Sequence, residues 1–277
     1  MKHLYFILAA VCLLSACSSN QTGNEALAPA EADKQKEEQK IENPPEKPEV
    51  KEDKETEEAA AEPEAFPKYK IDPANWSIKP LSAEVNAKAV LVTIDDAPDK
   101  HSLEMARTLK DLGAGAIFFV NGHFLDTDEE KKTLKDIHDL GFPIGNHTMS
   151  HANLKDLTAE EQEQEIVELN DLVESIIGER PHFFRAPFGS NTDESRKIAG
   201  KEKMVLMNWT YGYDWEQDYQ SKDALTDIMV NSPLLTNGAN LLMHDREWTN
   251  EALKGIVEGL KAKGYEIADP DSIEKIS

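Results

Sequence analysis

From Phe66 onward the chain alternates short apolar runs with longer segments whose apolar residues recur three or four apart, and this alternation predicts an α/β fold. The apolar runs are Ala89 to Ile94, Ala116 to Val120, Pro143 to Gly145, His182 to Arg185, Met204 to Trp209, Asn240 to Met243 and Tyr265 to Ala268. Each is brief, as a strand covered on both faces should be. Between them, Leu103, Ala106 and Leu109 precede Gly113, while Leu134, Ile137 and Leu140 precede Gly141. Ile166, Leu169, Leu172, Val173 and Ile176 precede Gly178, and Leu253, Ile256, Val257 and Leu260 precede Gly264. These spacings predict amphipathic helices closed by left-handed caps. Thr127 with Glu130 and Thr158 with Glu161 are spaced as capping boxes. About seven strands and six helices fit a small or irregular (β/α) barrel, with a doubly wound sheet as the alternative.

The first 65 residues have another character. Lys2 followed by the apolar stretch Leu4 to Leu14 reads as an export signal, too short for the roughly 20 residues of a spanning helix. Leu14-Ser15-Ala16-Cys17 resembles the lipobox of bacterial lipoproteins, which implies a signal peptide over 1–16 and a lipid-carrying Cys17. Ser18 to Ala65 holds fifteen acidic residues against six lysines, five prolines and no aromatic residue. Such a segment cannot bury enough apolar area to offset its ordering entropy, so 17–65 reads as an extended tether ahead of one domain at 66–277. The cysteines are Cys12 and Cys17, so that domain contains no disulfide. The net charge of -23 has the wrong sign for gripping nucleic acid. The expected setting is extracytoplasmic, on the outer face of the bacterial membrane through a lipid anchor, and the sequence marks no protein partner.

Polar residues just past strand ends are where barrels and open α/β sheets place their chemistry. Asp95-Asp96 follows the first long run, His147 and His151 follow the third, and Arg185 ends the fourth. Tyr213-Asp214-Trp215 follows the fifth, and His244-Asp245 the sixth. Taken singly, each has an ordinary explanation in a cap, a turn or a surface ion pair. Together they amount to a mechanism. His147 and His151, four apart as on one helical turn, offer two imidazoles, and either Asp95 or Asp96 would complete a three-ligand site open to water. The other aspartate could accept a proton from that water, and His244, held by Asp214, could supply one to a leaving group. Metal-assisted hydrolysis of an acyl group is the reaction these parts imply, with zinc, cobalt or nickel all suited to the donor set.

The chain also resembles the polysaccharide deacetylases with the NodB homology domain, carbohydrate esterase family 4. Their five motifs have counterparts, in order, in Thr93-Ile94-Asp95-Asp96-Ala97-Pro98, His147-Thr148-Met149-Ser150-His151, Arg185-Ala186-Pro187-Phe188, Asp214-Trp215 and Leu241-Leu242-Met243-His244-Asp245. The resemblance runs from about Lys88 to the C-terminus and implies an irregular (β/α) barrel. It further implies Asp95 as general base, Asp96, His147 and His151 as ligands of a divalent metal, and His244 as general acid. Arg185 would orient Asp95, Asp214 would tune His244, and the Phe188 N–H, next to Pro187, would bind the oxyanion. Trp215, Tyr213 and Trp248 are candidates for stacking on sugar faces. The implied activity is removal of N-acetyl groups from a cell-wall glycan, with a wall-binding lipoprotein of little catalysis as the competing reading. A solute-binding lipoprotein would need two lobes. Ile94, Ala97 and Ala186 depart from the usual motif residues, and Ala97 would carry a backbone cost if its position needs a positive φ.

Overall fold

The structure is a computed structural model and describes residues 66–276. The signal at 1–16, Cys17 and the tether over 17–65 lie outside the described residues. A short antiparallel hairpin, β1 (Tyr69–Ile71) and β2 (Ile78–Pro80), comes first. The main alternation then runs β3 (Ala89–Ala97), α1 (Ser102–Asp111), β4 (Ile117–Val120), α2 (Asp128–Asp139), β5 (Ile144–Asn146), α3 (Ala159–Ile177) and β6 (Phe183–Phe184). It continues with α4 (Asp193–Lys201), β7 (Val205–Leu206), α5 (Lys222–Asn231), β8 (Ala239–His244), α6 (Glu247–Ala262) and β9 (Glu266–Ile267).

The seven expected strands are all present and form one parallel sheet in the order β7-β6-β5-β4-β3-β8, with β9 paired to the start of β3. Strand order advances in one direction from β3 to β7, so the sheet has no reversal point, and the doubly wound alternative fails. The sheet curls instead. Past β7 the chain reaches the free flank of β8, where Tyr211 bridges Leu241 and Thr210 N–H donates to Asn240 O at 2.8 Å. Gly212 permits that approach, because a Cβ there would overlap the Leu242 carbonyl oxygen. The result is the irregular (β/α) barrel expected from the alternation.

Period-two strands divide the core into two shells. Val90, Val92 and Ile94 of β3 point outward and pack with Met105, Leu109, Leu253 and Ile256 of the helices. Leu91 points inward, to Ile117, Phe119, Phe183 and Met207, while Tyr69, Ile78 and Ile273 close the floor. Full burial of each such side chain is worth about 1.5–3 kcal/mol. The capping boxes at Thr127 and Thr158 both form, and Gly178 ends α3 at φ 87°. Hydrophobic spacing did not mark α4, which buries Ser195, Ile198 and Ala199, or α5, which buries Leu225, Met229 and Val230.

The inner shell turns polar toward the carboxyl ends of the strands, where Thr93, Asp95, Asn121 and Arg185 are buried. There the end of β8 is fastened to the loop after β3. Asp245 is buried, and its carboxylate accepts from Lys100 N (3.0 Å), His101 N (2.7 Å), Ser102 N (2.9 Å) and Ser102 Oγ (2.6 Å). It thereby caps α1 from a distant strand, with the sign the helix dipole favours. Asp245 N–H donates to Asp95 O at 3.0 Å. Asp245→Ala would leave these donors, the Ser102 pair among them buried, without their partner and should destabilise the protein by about 2–4 kcal/mol in urea unfolding; a cost of a few tenths would show that the carboxylate fastens nothing.

Candidate active site

A regular strand sends neighbouring side chains to opposite faces, so Asp95 and Asp96 could not both reach one site from ideal β geometry. The pairing shows how they do. Ile94 is opposite Phe118 but Ala97 is opposite Val120, so β3 carries one residue more than β4 over this stretch. This bulge, with Asp96 at φ 60°, turns both carboxylates into the mouth of the barrel. The positive φ falls on Asp96 and not on Ala97, so the condition under which the alanine would carry a left-handed backbone cost is not met.

Asp96, His147 and His151 each offer one ligand atom, and these atoms lie within 4.8 Å of one another. The two histidines do not share a helical turn as their spacing suggested. Their segment is irregular, with Thr148 at φ 71° and His151 at φ 59°, and it brings the rings to a centroid distance of 5.0 Å. His147 Nδ1 lies 2.7 Å from the Arg185 carbonyl oxygen, an acceptor, so Nδ1 carries the proton and Nε2 presents its lone pair to the site. Burial, reinforced by the nearby charge of His151, pushes the His147 pKa down to about 3. Burial also lowers that of His151, against the opposing pull of Asp96 and Asp95. Both imidazoles are therefore neutral near pH 7, the form that ligates metals.

Asp95 faces the same space with 2% of its surface exposed, and the fully buried Arg185 donates to its Oδ1 at 2.6 Å. The guanidinium also donates to Thr93 Oγ1 at 2.8 Å and Asn208 O at 3.0 Å, and its carbon lies 4.3 Å from the Phe119 ring centre. Burial raises the Asp95 pKa; the charges of Arg185 and His244 and the Arg185 hydrogen bond counter only part of that rise. The other oxygen of Asp95 lies 3.6 Å from His147 Nε2.

Across the mouth, His244 Nδ1 donates to Asp214 Oδ1 at 2.7 Å, leaving Nε2 for the cleft. The second Asp214 oxygen accepts from His244 N at 2.6 Å and Thr249 Oγ1 at 2.8 Å. Burial alone would lower the His244 pKa, but the Asp214 hydrogen bond and the charges of Asp214, Asp95 and Asp96 raise it above the ordinary imidazole value. The two sides of the cleft thus hold histidines shifted in opposite directions.

Asp95, Asp96, His147, His151 and His244 line a cleft of about 460 Å³ together with Phe188, Trp209, Trp215, Leu242 and Arg246. Phe188, at φ 57°, is 65% exposed and packs edge-on to His151, while Trp215 is 47% exposed and packs edge-on to His244. Pro187 is buried beneath the loop. Tyr213 and Trp248 do not line the cleft: Tyr213 packs between Tyr211 and Tyr219, and Trp248 Nε1 donates to Asp214 O at 2.8 Å. Sequence reasoning missed Trp209 and Arg246 as wall residues. Arg246 directly follows His244-Asp245, a signal that was available; Trp209 reaches the cleft only because the chain leaves β7 to close the barrel.

The family model for polysaccharide deacetylase matches residues 82–207. That stretch contains Asp95, Asp96, His147, His151 and Arg185, and it ends before Asp214 and His244. Among curated proteins, a peptidoglycan-N-acetylglucosamine deacetylase of Bacillus cereus is 31% identical over 188 residues, which cover 65% of this chain and 68% of that protein. The peptidoglycan-N-acetylmuramic acid deacetylase PdaC of Bacillus subtilis is 29% identical over 201 residues, 72% of this chain but 41% of that longer protein. The solved structure of PdaC superposes with a TM-score of 0.59 over 67% of this chain and 89% of that one, at 29% identity. A CE4 family pseudoenzyme from Bacillus anthracis superposes with a TM-score of 0.60 over 67% of this chain and 64% of its own, at 30% identity.

The Arg185 and Asp95 pair is open to a double-mutant cycle. Arg185→Met should destabilise the protein by about 3–5 kcal/mol because it strands a buried carboxylate, and adding Asp95→Asn should recover part of that loss. Strictly additive costs in urea unfolding would show that the two groups do not interact.

Proposed function

Because the chain belongs to the polysaccharide deacetylase family, we propose that it hydrolyses N-acetyl groups on the amino sugars of cell-wall peptidoglycan, releasing acetate. The observation that carries this reading is the gathering of a three-ligand cluster, a buried carboxylate and an Asp-held histidine on one aromatic-walled cleft. The donor set suits a divalent cation: two neutral imidazoles and one carboxylate fit zinc, with cobalt or nickel as substitutes. When bound, such a cation supplies Lewis acidity to the acyl oxygen and acidifies water.

The chain's own residues supply the rest. Asp95 takes the proton from the attacking water, with Arg185 fixing its orientation. The Phe188 N–H donates to the oxygen on which negative charge develops. As the carbon–nitrogen bond breaks, protonated His244 gives its Nε2 proton to the leaving amine, and Asp214 keeps the ring charged and correctly turned. Phe188, Trp215 and Trp209 form an apolar wall for the sugar, with Pro187 setting the loop beneath. We place the protein outside the cytoplasmic membrane, exported by the signal at 1–16 and held by a lipid on Cys17, with 17–65 as tether and 66–277 as the working domain. No helix among the described residues is long and apolar enough to cross a membrane. The likeness to a pseudoenzyme favours one competing reading, a wall-binding protein with little catalysis, against which stand the candidate base Asp95 and acid His244.

Mass spectrometry of peptidoglycan fragments after incubation with the zinc-loaded protein tests the proposal and shows which amino sugar loses its acetyl group. Acetate release should stop with a chelator and with His147→Ala, whereas Asp95→Asn should retain zinc and lose about 10²-fold or more in kcat. A zinc-loaded protein that binds wall glycan but releases no acetate from it would sink the enzymatic reading.

The pH profile offers a second test. The acid form of His244 is lost as pH rises through its raised pKa, so the alkaline limb of kcat/KM should lie above the ordinary imidazole range. Asp214→Asn removes both the hydrogen bond and the charge that raise it, and should move that limb to lower pH. An alkaline limb unmoved by Asp214→Asn would exclude His244 as the acid.

A further inference from the structure

Arg246 has no part in the chemistry assigned above, yet it contacts the metal-ligand cluster. One guanidinium nitrogen donates to Asp96 Oδ2 at 2.8 Å, and the other donates to the backbone oxygen of Asp245 at 3.0 Å and lies 4.0 Å from Asp99 Oδ2. The remaining Asp96 oxygen, Oδ1, lies 3.5 Å from His151 Nε2. The carboxylate is therefore divided, with one oxygen toward the imidazoles and the other engaged by a cation. The arrangement is rigid at its base, because Asp245, which anchors the guanidinium, is itself held by four hydrogen bonds.

A carboxylate can bind a cation through one oxygen or through both, and a planar guanidinium competes for the second. A fixed positive charge beside the ligands also repels a dication. Resting on the metal-dependent reading above, we propose that Arg246 is a positioning residue for the metal ligand Asp96. It confines Asp96 to ligation through Oδ1 and draws charge from it, so the site holds a divalent cation through three protein atoms and more weakly than the same ligands would alone. The exchange serves hydrolysis, since a second Asp96 oxygen on the cation would occupy a position that substrate or water needs. This effect is opposite in sign to that of a carboxylate hydrogen-bonded to a ligand histidine, which makes the ligand more basic.

Cobalt(II) provides a readout independent of turnover, because its visible absorption is strong with four ligands and weak with five or six. The full chain and its Arg246→Met variant would be titrated with cobalt in competition with a chelator. Arg246 is 37% exposed at its side chain, so its replacement should leave the unfolding midpoint nearly unchanged; Arg246→Gln serves if the methionine variant does not fold. The variant should bind cobalt about tenfold more tightly, at the lower end of effects exerted on a metal through its ligands' partners, and its absorption should weaken as both Asp96 oxygens engage. Arg246→Lys, which keeps the charge, should fall between the two. An unchanged or weaker affinity overturns the proposal, as does an unchanged spectrum. Failure of the unaltered chain to bind cobalt would overturn the metal-dependent reading, and this inference with it, whereas normal binding that Arg246→Met does not alter overturns this inference alone.

Discussion

A carboxylate buried at the mouth of the barrel, Asp95, sets the terms for everything around it. An ionised group so far from water is tolerated only when a partner and further hydrogen bonds replace its hydration. Arg185 is that partner, and its own burial creates a second requirement, since a guanidinium has five donors. Besides Asp95, Thr93 on β3, the Asn208 carbonyl on the segment that closes the barrel, and Asn240 on β8 serve its two terminal nitrogens, the last at 3.4 Å, while Nε–H has no protein partner among the described residues. One ion pair thus ties together β3, β6, β8 and the stretch after β7. Apolar packing determines that a barrel forms; the demand to neutralise Asp95 determines how its strand ends converge.

The backbone bears a cost at the same place. Among the described residues, six other than glycine have positive φ, and four of them surround the cleft: Asp96 at the β3 bulge, and Thr148, His151 and Phe188 in the loops. Left-handed conformations at such residues cost of order 1–3 kcal/mol each and persist only where the surroundings impose them. Here the imposing contacts are buried ones, including Asn146 Oδ1, which accepts from Thr148 N at 2.9 Å. Rigid strand ends and strained connecting loops are complementary: the strands fix where the loops begin, and the unusual dihedrals turn adjacent or near-adjacent side chains into one space.

Much of this was legible in the sequence because it rests on local rules. Short apolar runs located all seven strands of the sheet, residues three or four apart located four of the helices, and the capping boxes at Thr127 and Thr158 located two helix starts. The short hairpin was not legible, since its strands Tyr-Lys-Ile and Ile-Lys-Pro are not apolar runs, and α4 and α5 were not placed by the pattern. At the site, the residue types and their positions after strand ends were readable, whereas the route by which they meet was not. His147 and His151 converge through an irregular segment, Asp95 and Asp96 through a bulge, and Tyr213 and Trp248 turn away despite their closeness in sequence to motif residues. Each of these outcomes is decided by contacts between distant parts of the chain, which spacing alone does not encode.

The three histidines of the cleft make the point in chemical terms. In the sequence they are the same residue, each placed just past a strand end. In the fold, His147 meets a backbone carbonyl and deep burial, which favour the neutral ring, while His244 meets a buried carboxylate, which favours the charged one. Burial acts on both with the same sign, so the difference in pKa direction comes from the partner. Asp214 can play that part because its second oxygen is occupied by His244 N and Thr249 Oγ1, which fixes the carboxylate and leaves the first oxygen to face the ring. A neutral imidazole suited to a metal and a charged one suited to proton donation can therefore share one cleft, and the division of labour is set by what each Nδ1 touches.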